Sequence, residues 1–172
     1  CSDGKQRYDN SFMSMSMSMS DDEVDDFGIR MVNSDKLKAG PSKIKICVAD
    51  TGYDLGHPDL PNASNHGVDG WDKKFRNQHY KWYEDEVGHG THVAGIIGAI
   101  GNDYGVTGVL EDPDSFSFFI SVAIPGGTAY LSHVLHALSE CVKSGAKIIN
   151  MSYGHYYPST IEEDFHRYLY EQ

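Results

Sequence analysis

The chain has 172 residues, of which 40 % are apolar, 23 % charged and 12 % aromatic, the length and profile of one globular domain with its own core rather than of a fibre or a disordered chain. No stretch approaches the roughly 20 apolar residues needed to cross a bilayer. With 25 acids against 14 bases the formal charge is −11, and no basic stripe offsets it, so neither a membrane nor a nucleic acid is expected as a partner.

Residues 1–26 combine a Met-Ser repeat with the acidic run Asp21, Asp22, Glu23, Asp25 and Asp26. Neither has a period that buries one face, so this stretch reads as a mobile, solvated linker and the folded domain is predicted over 27–172. A turn at Gly40-Pro41 precedes Ile44 to Ala49, a β-branched run that reads as a strand and delivers Asp50 into the turn Asp50-Thr51-Gly52. Residues 53–88 show no sustained period and are predicted to be loops with one short element near Gly70-Trp71.

From His89 to Ile100 the chain is apolar or small on every side after its first turn, the pattern of a helix buried all round. Ser115 to Ala123 reads as a second strand. Tyr130 to Ser144 reads as an amphipathic helix with Leu131, Val134, Leu135, Leu138 and Val142 on one face, stopped by Gly145. Lys147 to Ser152 is a third strand, and a last helix follows the candidate caps Ser159 and Thr160, with Ile161, Phe165, Tyr168 and Leu169 as its inner face.

Three cysteines, Cys1, Cys47 and Cys141, are too few for a disulfide scaffold, and one pair at most can form. Cys47 reads as a core residue rather than a reactive thiol. The chain begins with Cys and shows no basic-then-apolar leader, so it reads as an internal part of a longer product.

Strands alternating with helices imply an α/β fold: a doubly wound, mostly parallel sheet with right-handed crossovers and helices on both faces. Such sheets carry their chemistry at the strand carboxyl ends. Asp50, the Gly126-Gly127 turn and Ser152 to Gly154 fall there, and His89 opens a helix that can start beside the same edge. A carboxylate ending an apolar strand needs a donor. At a helix N-terminus the macrodipole disfavours an imidazolium, whereas a hydrogen bond to Asp50 favours it. An Asp that fixes one tautomer and a His whose other nitrogen faces a cleft are two thirds of an Asp-His-Ser relay. A zinc site from Asp50, His89 and His92 is the rival reading, disfavoured because no HExxH motif supplies a base.

Four segments carry a resemblance: Asp50-Thr-Gly-Tyr-Asp-Leu-Gly-His-Pro-Asp-Leu60, His89-Gly-Thr-His-Val-Ala-Gly95, Asn102-Asp-Tyr-Gly-Val-Thr-Gly-Val109 and Ile149-Asn-Met-Ser-Tyr-Gly154. In order and spacing they resemble the signature blocks of the subtilisin family of serine endopeptidases. Phe27-Gly-Ile-Arg-Met-Val32 resembles the start of a mature catalytic domain, which would make 1–26 the tail of a propeptide. The resemblance implies that Asp50 orients His89 as general base and that His92 is a buried structural histidine. It implies no cofactor for catalysis.

It also implies that Gly127, Thr128 and Ala129 on one side, and Ser152, Tyr153 and Gly154 on the other, hold an extended polypeptide substrate by strand addition. Thr128 and the Tyr130-Leu131 pair then suggest one apolar subsite. A structural calcium ion would be held by the side chains of Asp59 and Asn102 and the carbonyls of Ile100, Tyr104 and Val106, an oxygen shell suited to a hard cation. The family's nucleophile, on a Gly-Thr-Ser helix start, and its oxyanion Asn match nothing here, and Ser152 and Ser159 lie outside such a motif. Both are expected beyond Gln172, leaving these residues inactive alone and their sheet incomplete at the C-terminal end. The resemblance further implies a secreted protein with its own propeptide as partner. The alternative is a noncatalytic relative that grips extended peptides without cleaving them.

Overall fold

A computed structural model describes residues 23–24, 27–38, 40–62, 65–72, 78–154 and 158–171. The Met-Ser repeat and most of the predicted linker lie outside the described residues.

Strand β1 (Ile44–Asp50) is apolar on both faces, and the sheet is built around it. It pairs in parallel with β5 (Phe116–Val122), from Ile44 opposite Phe116 to Asp50 opposite Val122. Its other side pairs in parallel with β6 (Ile148–Asn150). A fourth strand, β2 (His66–Val68), pairs in parallel with the outer side of β5, giving the order β2-β5-β1-β6.

Alternation along the two central strands separates two cores. Ile46, Val48, Phe116, Phe118 and Ile120 face α2 (His89–Gly98), joined by Val93 and Ala94 of that helix. Cys47 and Ala49 face α3 (Leu131–Lys143), where Val134, Ala137, Leu138 and Cys141 meet them, and α4 (Thr160–Tyr170) adds Phe165 and Leu169. Each large apolar side chain so buried contributes about 1.5–3 kcal/mol. Helices on opposite faces of a parallel sheet make this the doubly wound α/β architecture expected from the sequence.

The departures have local reasons. The 53–88 stretch holds three strands rather than one short element: β2 joins the main sheet, and β3 (Gly70–Asp72) pairs antiparallel with β4 (Gln78–Tyr80). Strands of three residues are too short to show a period of two. Helix α2 is buried on one side only. Gly90, Val93, Ala94 and Gly98 face inward, Gly98 so tightly that a Cβ would strike the Phe116 ring, whereas His92 and Ile96 are exposed. His92 is therefore not the buried histidine expected. Small residues all round α2 hide which side is covered, since no change of residue type marks the outer face.

In α4, Ile161 and Tyr168 are 64 % and 55 % exposed, so the inner face reduces to the i, i+4 pair Phe165 and Leu169. The N-cap is Ser159, whose hydroxyl accepts from the Glu162 amide at 3.3 Å. Gly145, with φ +79°, closes α3 as a left-handed cap: its amide donates to the Val142 carbonyl and the Ala146 amide to the Cys141 carbonyl.

At the amino end, α1 (Phe27–Met31) buries Ile29. Contact with the domain begins before it, because Val24 bridges Val106 in parallel and its amide donates to the Gly105 carbonyl at 2.8 Å.

Cys47 and Cys141 form a disulfide that ties β1 to α3 across 94 residues of chain. Both are fully buried, so Cys47 is a core residue and a bonded one. Closing so long a loop restricts the unfolded ensemble, by about 4–5 kcal/mol in a chain-entropy account. Cys141→Ala is expected to lower unfolding free energy by about 2–5 kcal/mol, read by denaturant titration. Reductant should reproduce the loss in the parent protein and add nothing to the variant.

Candidate active site

Asp50 is the last residue of β1 and is fully buried. Its Oδ1 accepts from the Thr51 amide at 2.7 Å and lies 2.7 Å from Nδ1 of His89. Its Oδ2 has no partner among the described residues. His89 opens α2 with its side chain 46 % exposed, so the ring spans from the buried carboxylate to the open side of the sheet edge. A carboxylate can only accept, so the shared proton resides on Nδ1, and in the neutral ring the free lone pair is then on Nε2.

Two glycines permit this approach. Gly88, the N-cap, has φ +81°, a left-handed conformation that brings the chain into α2. A Cβ on Gly90 would strike the Gly52 carbonyl, so the helix start could not lie against the Asp50 turn with any larger residue there.

Asp85 takes over the capping that Gly88 cannot supply. Its Oδ1 accepts from the Thr51 hydroxyl at 2.8 Å and the Gly88 amide at 3.0 Å; its Oδ2 accepts from the Thr91 amide at 2.9 Å and the Thr91 hydroxyl at 2.7 Å. Thr51 in turn accepts from the Gly90 amide at 2.9 Å. Burial pushes the Asp85 carboxyl up, but the hydrogen bonds from Thr91, Thr51 and Gly88 outweigh it and hold the group below the usual carboxylate range.

The two predicted peptide-binding edges meet at a cavity of about 520 Å³, walled by Gly127, Thr128, Ala129 and Leu131 on one side and Tyr153 and Gly154 on the other. A 3-10 turn over Pro125–Gly127 leads into Thr128 with extended backbone, φ −142° and ψ 147°, as an edge offered to another chain requires. Ser152 is exposed beside the cavity, its hydroxyl accepting from Asn150 Nδ2 at 2.9 Å. Of the residues predicted to form an apolar subsite, Thr128 and Leu131 line this cavity and Tyr130 does not. Burial raises the Tyr153 phenol above its ordinary range, and the Glu162 and Asp50 carboxylates add to this.

The predicted calcium ligands lie where the 100–106 loop meets Asp59. The Asp59 carbonyl accepts from the Ile100 amide at 3.0 Å and its Oδ2 from the Val106 amide at 3.0 Å, while Oδ1 is buried without a partner among the described residues. Asn102 reaches the Pro58 carbonyl through Nδ2 at 3.2 Å and accepts from the Tyr104 amide through Oδ1 at 3.0 Å. Glu23 closes the loop, its Oε2 accepting from the amides of Asn102 at 2.9 Å and Asp103 at 2.7 Å. Among the described residues no three His, Cys, Asp or Glu side chains are grouped to hold a metal. A cation here would have to draw on amide and carbonyl oxygens beside the orphaned Asp59 Oδ1, the donor type a hard ion takes.

Residues 41–169 match the profile of the subtilase family, peptidase S8. The chain belongs to the subtilase family. Among subtilase relatives, it is 38 % identical over 122 residues to Subtilisin-like protease 2 of Plasmodium falciparum, covering 67 % of this chain and 9 % of that protein. It is 34 % identical over 113 residues to subtilisin of Bacillus pumilus, covering 66 % of this chain and 38 % of the relative. Its fold matches the crystal structure of the psychrophilic subtilisin-like protease Apa1 from the Antarctic psychrotroph Pseudoalteromonas sp. AS-11, with a TM-score of 0.74 and 30 % identity over 87 % of this chain and 34 % of that one. The doubly wound sheet is therefore the subtilisin-like fold, and the chain spans well under half the length of the relatives it matches.

Sequence reasoning missed Thr51, Asp85, Thr91 and Glu23. An acid just ahead of a helix start is a capping signal, and Asp85 could have been found that way. Its bond to Thr51 could not, because it joins segments 34 residues apart. A carboxyl held below its usual range in the fold stabilises it fully above the unfolded value, near 3.9, and this stabilisation is lost as pH falls through the lower folded value. Melting curves between about pH 5 and pH 2 should therefore fall more steeply for the parent protein than for Asp85→Asn.

Proposed function

We propose that the chain is the Asp- and His-bearing part of a serine endopeptidase that cleaves extended polypeptides through an Asp-His-Ser relay. The observation that carries this reading is the 2.7 Å approach of His89 Nδ1 to the buried Asp50 carboxylate. Asp50 accepts the Nδ1 proton and fixes the tautomer, leaving the Nε2 lone pair to take the proton of a serine hydroxyl as that oxygen attacks the scissile carbonyl. The imidazolium so formed is stabilised by Asp50 and returns its proton to the departing amine.

The serine and the oxyanion-stabilising Asn are assigned to a segment outside these 172 residues, so the stretch alone should not turn over substrate. The hydroxyls of Ser152 and Ser159 are engaged with Asn150 and the Glu162 amide, which supports assigning neither as nucleophile. The peptide would lie extended between Gly127–Ala129 and Ser152–Gly154. A propeptide reaching into residues 1–26 and secretion complete the reading; one relative, the minor extracellular protease Epr of Bacillus subtilis, carries its location in its name.

Asp59 and Asn102, with the carbonyls of Ile100, Tyr104 and Val106, would hold a calcium ion whose charge offsets the buried carboxylate and stiffens the loop.

A fluorophosphonate probe applied to a product that includes the assigned serine should label that serine and none within residues 1–172; a stable adduct on Ser152 or Ser159 would contradict the reading. In that product Asp50→Asn should lower turnover about 10⁴-fold, as loss of the orienting carboxylate does in such relays. Calcium should raise the melting temperature and a chelator reverse the gain, with Asp59→Asn abolishing the response. An unchanged melting curve in calcium would remove the ion from the account.

A further inference from the structure

The Asp50–His89 pair is set on two elements far apart in sequence: Asp50 ends β1, and His89 begins α2, 39 residues later. A hydrogen bond of 2.7 Å between them requires something to fix the spacing of strand end and helix start. Helix α2 has no side-chain cap from its own N-cap residue, Gly88. Its first amides are met from outside the helix by two side chains, Thr51 and Asp85.

Thr51 follows Asp50 directly, and its hydroxyl has one proton to give. The Gly90 amide can only donate, so Thr51 Oγ1 accepts there and gives its own proton to Asp85 Oδ1. Asp85 then faces donors alone: Thr51 and the Gly88 amide on one oxygen, the Thr91 amide and hydroxyl on the other. An ionised Asp85, which can only accept, satisfies the directions of all five bonds at once. The residues on either side of His89, Gly88 and Gly90, are thereby tied to the residue next to Asp50, through Asp85 and Thr51. Asp85 lines neither the cavity between the two predicted peptide-binding edges nor the larger apolar cavity beside α2.

We propose that Asp85 is a positioning residue, a carboxylate clamp which, with the Thr51 hydroxyl, sets the register of the His89 helix against the Asp50 strand and so holds the imidazole on its carboxylate. The proposal rests on the relay reading, for which it names the part that fixes geometry. Asn at position 85 would keep one acceptor oxygen and turn an amide toward donors on the other side, breaking one half of the clamp at nearly constant volume.

Proton NMR of the chain reads the geometry directly, because an imidazole Nδ1 proton held by a buried carboxylate resonates far downfield and exchanges slowly. The parent protein should show this resonance, Asp50→Asn and His89→Gln should abolish it, and Asp85→Asn and Thr51→Val should each broaden it beyond detection while melting well above the temperature of measurement. Thr51→Ser, which keeps the hydroxyl, should restore it. Ser34→Ala, which removes a buried hydroxyl bonded to the Ile29 carbonyl, should lower stability without touching it. A resonance that persists unchanged in folded Asp85→Asn or Thr51→Val overturns the clamp and leaves the relay standing; its absence from the parent protein overturns the Asp50–His89 bond and with it both readings. Should Asp85→Asn fail to fold, the Thr51→Val and Thr51→Ser pair decides alone, with equal signals in the two counting against the clamp.

Discussion

A carboxylate with no exposure to water is costly unless donors meet it, and Asp50 sits in that condition at the end of a strand whose last five residues are buried. The Thr51 amide and the His89 imidazole meet one oxygen, at 2.7 Å each. Much of the surrounding sequence follows from bringing that second donor into place. Gly90 must lack a side chain so that the helix start can lie on the Gly52 carbonyl, Gly88 must adopt a left-handed conformation to enter the helix, and Thr51 and Asp85 must join the two segments. The imidazole is half open where its carboxylate is fully buried, and on the proposed reading that asymmetry makes its outer nitrogen available as a base.

The sheet supplies the platform. Because β1 and β5 bury both faces, one core locks α2 behind His89 and the other locks α3 behind the Gly127–Ala129 edge. The Cys47–Cys141 disulfide joins β1 to α3 three residues before Asp50, so the strand that carries the carboxylate is anchored to the helix that walls the cavity. On the α2 side the 100–106 loop is wrapped around Asp59 and pinned by Glu23. The acidic stretch ahead of Phe27 thus contributes a structural contact at its end, at a carboxylate whose local sequence suggests only a solvated charge.

What could be read from the sequence depended on whether the signal was local. Ile44 to Asp50 and Phe116 to Val122 are apolar enough on both faces to declare themselves as central strands, and Gly145 and Ser159 mark helix ends by chemistry confined to one turn. The contact between Asp50 and His89 was legible because a carboxylate ends a strand and an imidazole starts a helix at the same edge of the sheet. The rest depended on tertiary placement. The exposure of His92 and Ile96 could not be seen in a helix made of small and apolar residues, nor that of Ile161 and Tyr168 in a stripe wider than the surface it meets. Strands β2 to β4 were too short to carry a period. The pairing of Cys47 with Cys141 joins residues 94 apart, and the Thr51–Asp85 bond joins a loop to a cap; neither has a signature in its own segment.

The central claim is that the Asp50 carboxylate holds the His89 proton on Nδ1 and leaves Nε2 bare. Nitrogen-15 chemical shifts of the His89 ring at neutral pH test it most directly, since protonated and bare ring nitrogens resonate far apart. The account predicts a protonated Nδ1 and an unprotonated Nε2 in the parent protein, and an averaged or reversed tautomer in Asp50→Asn. A parent protein whose His89 carries its proton on Nε2, or whose tautomer is indifferent to Asp50→Asn, would contradict it.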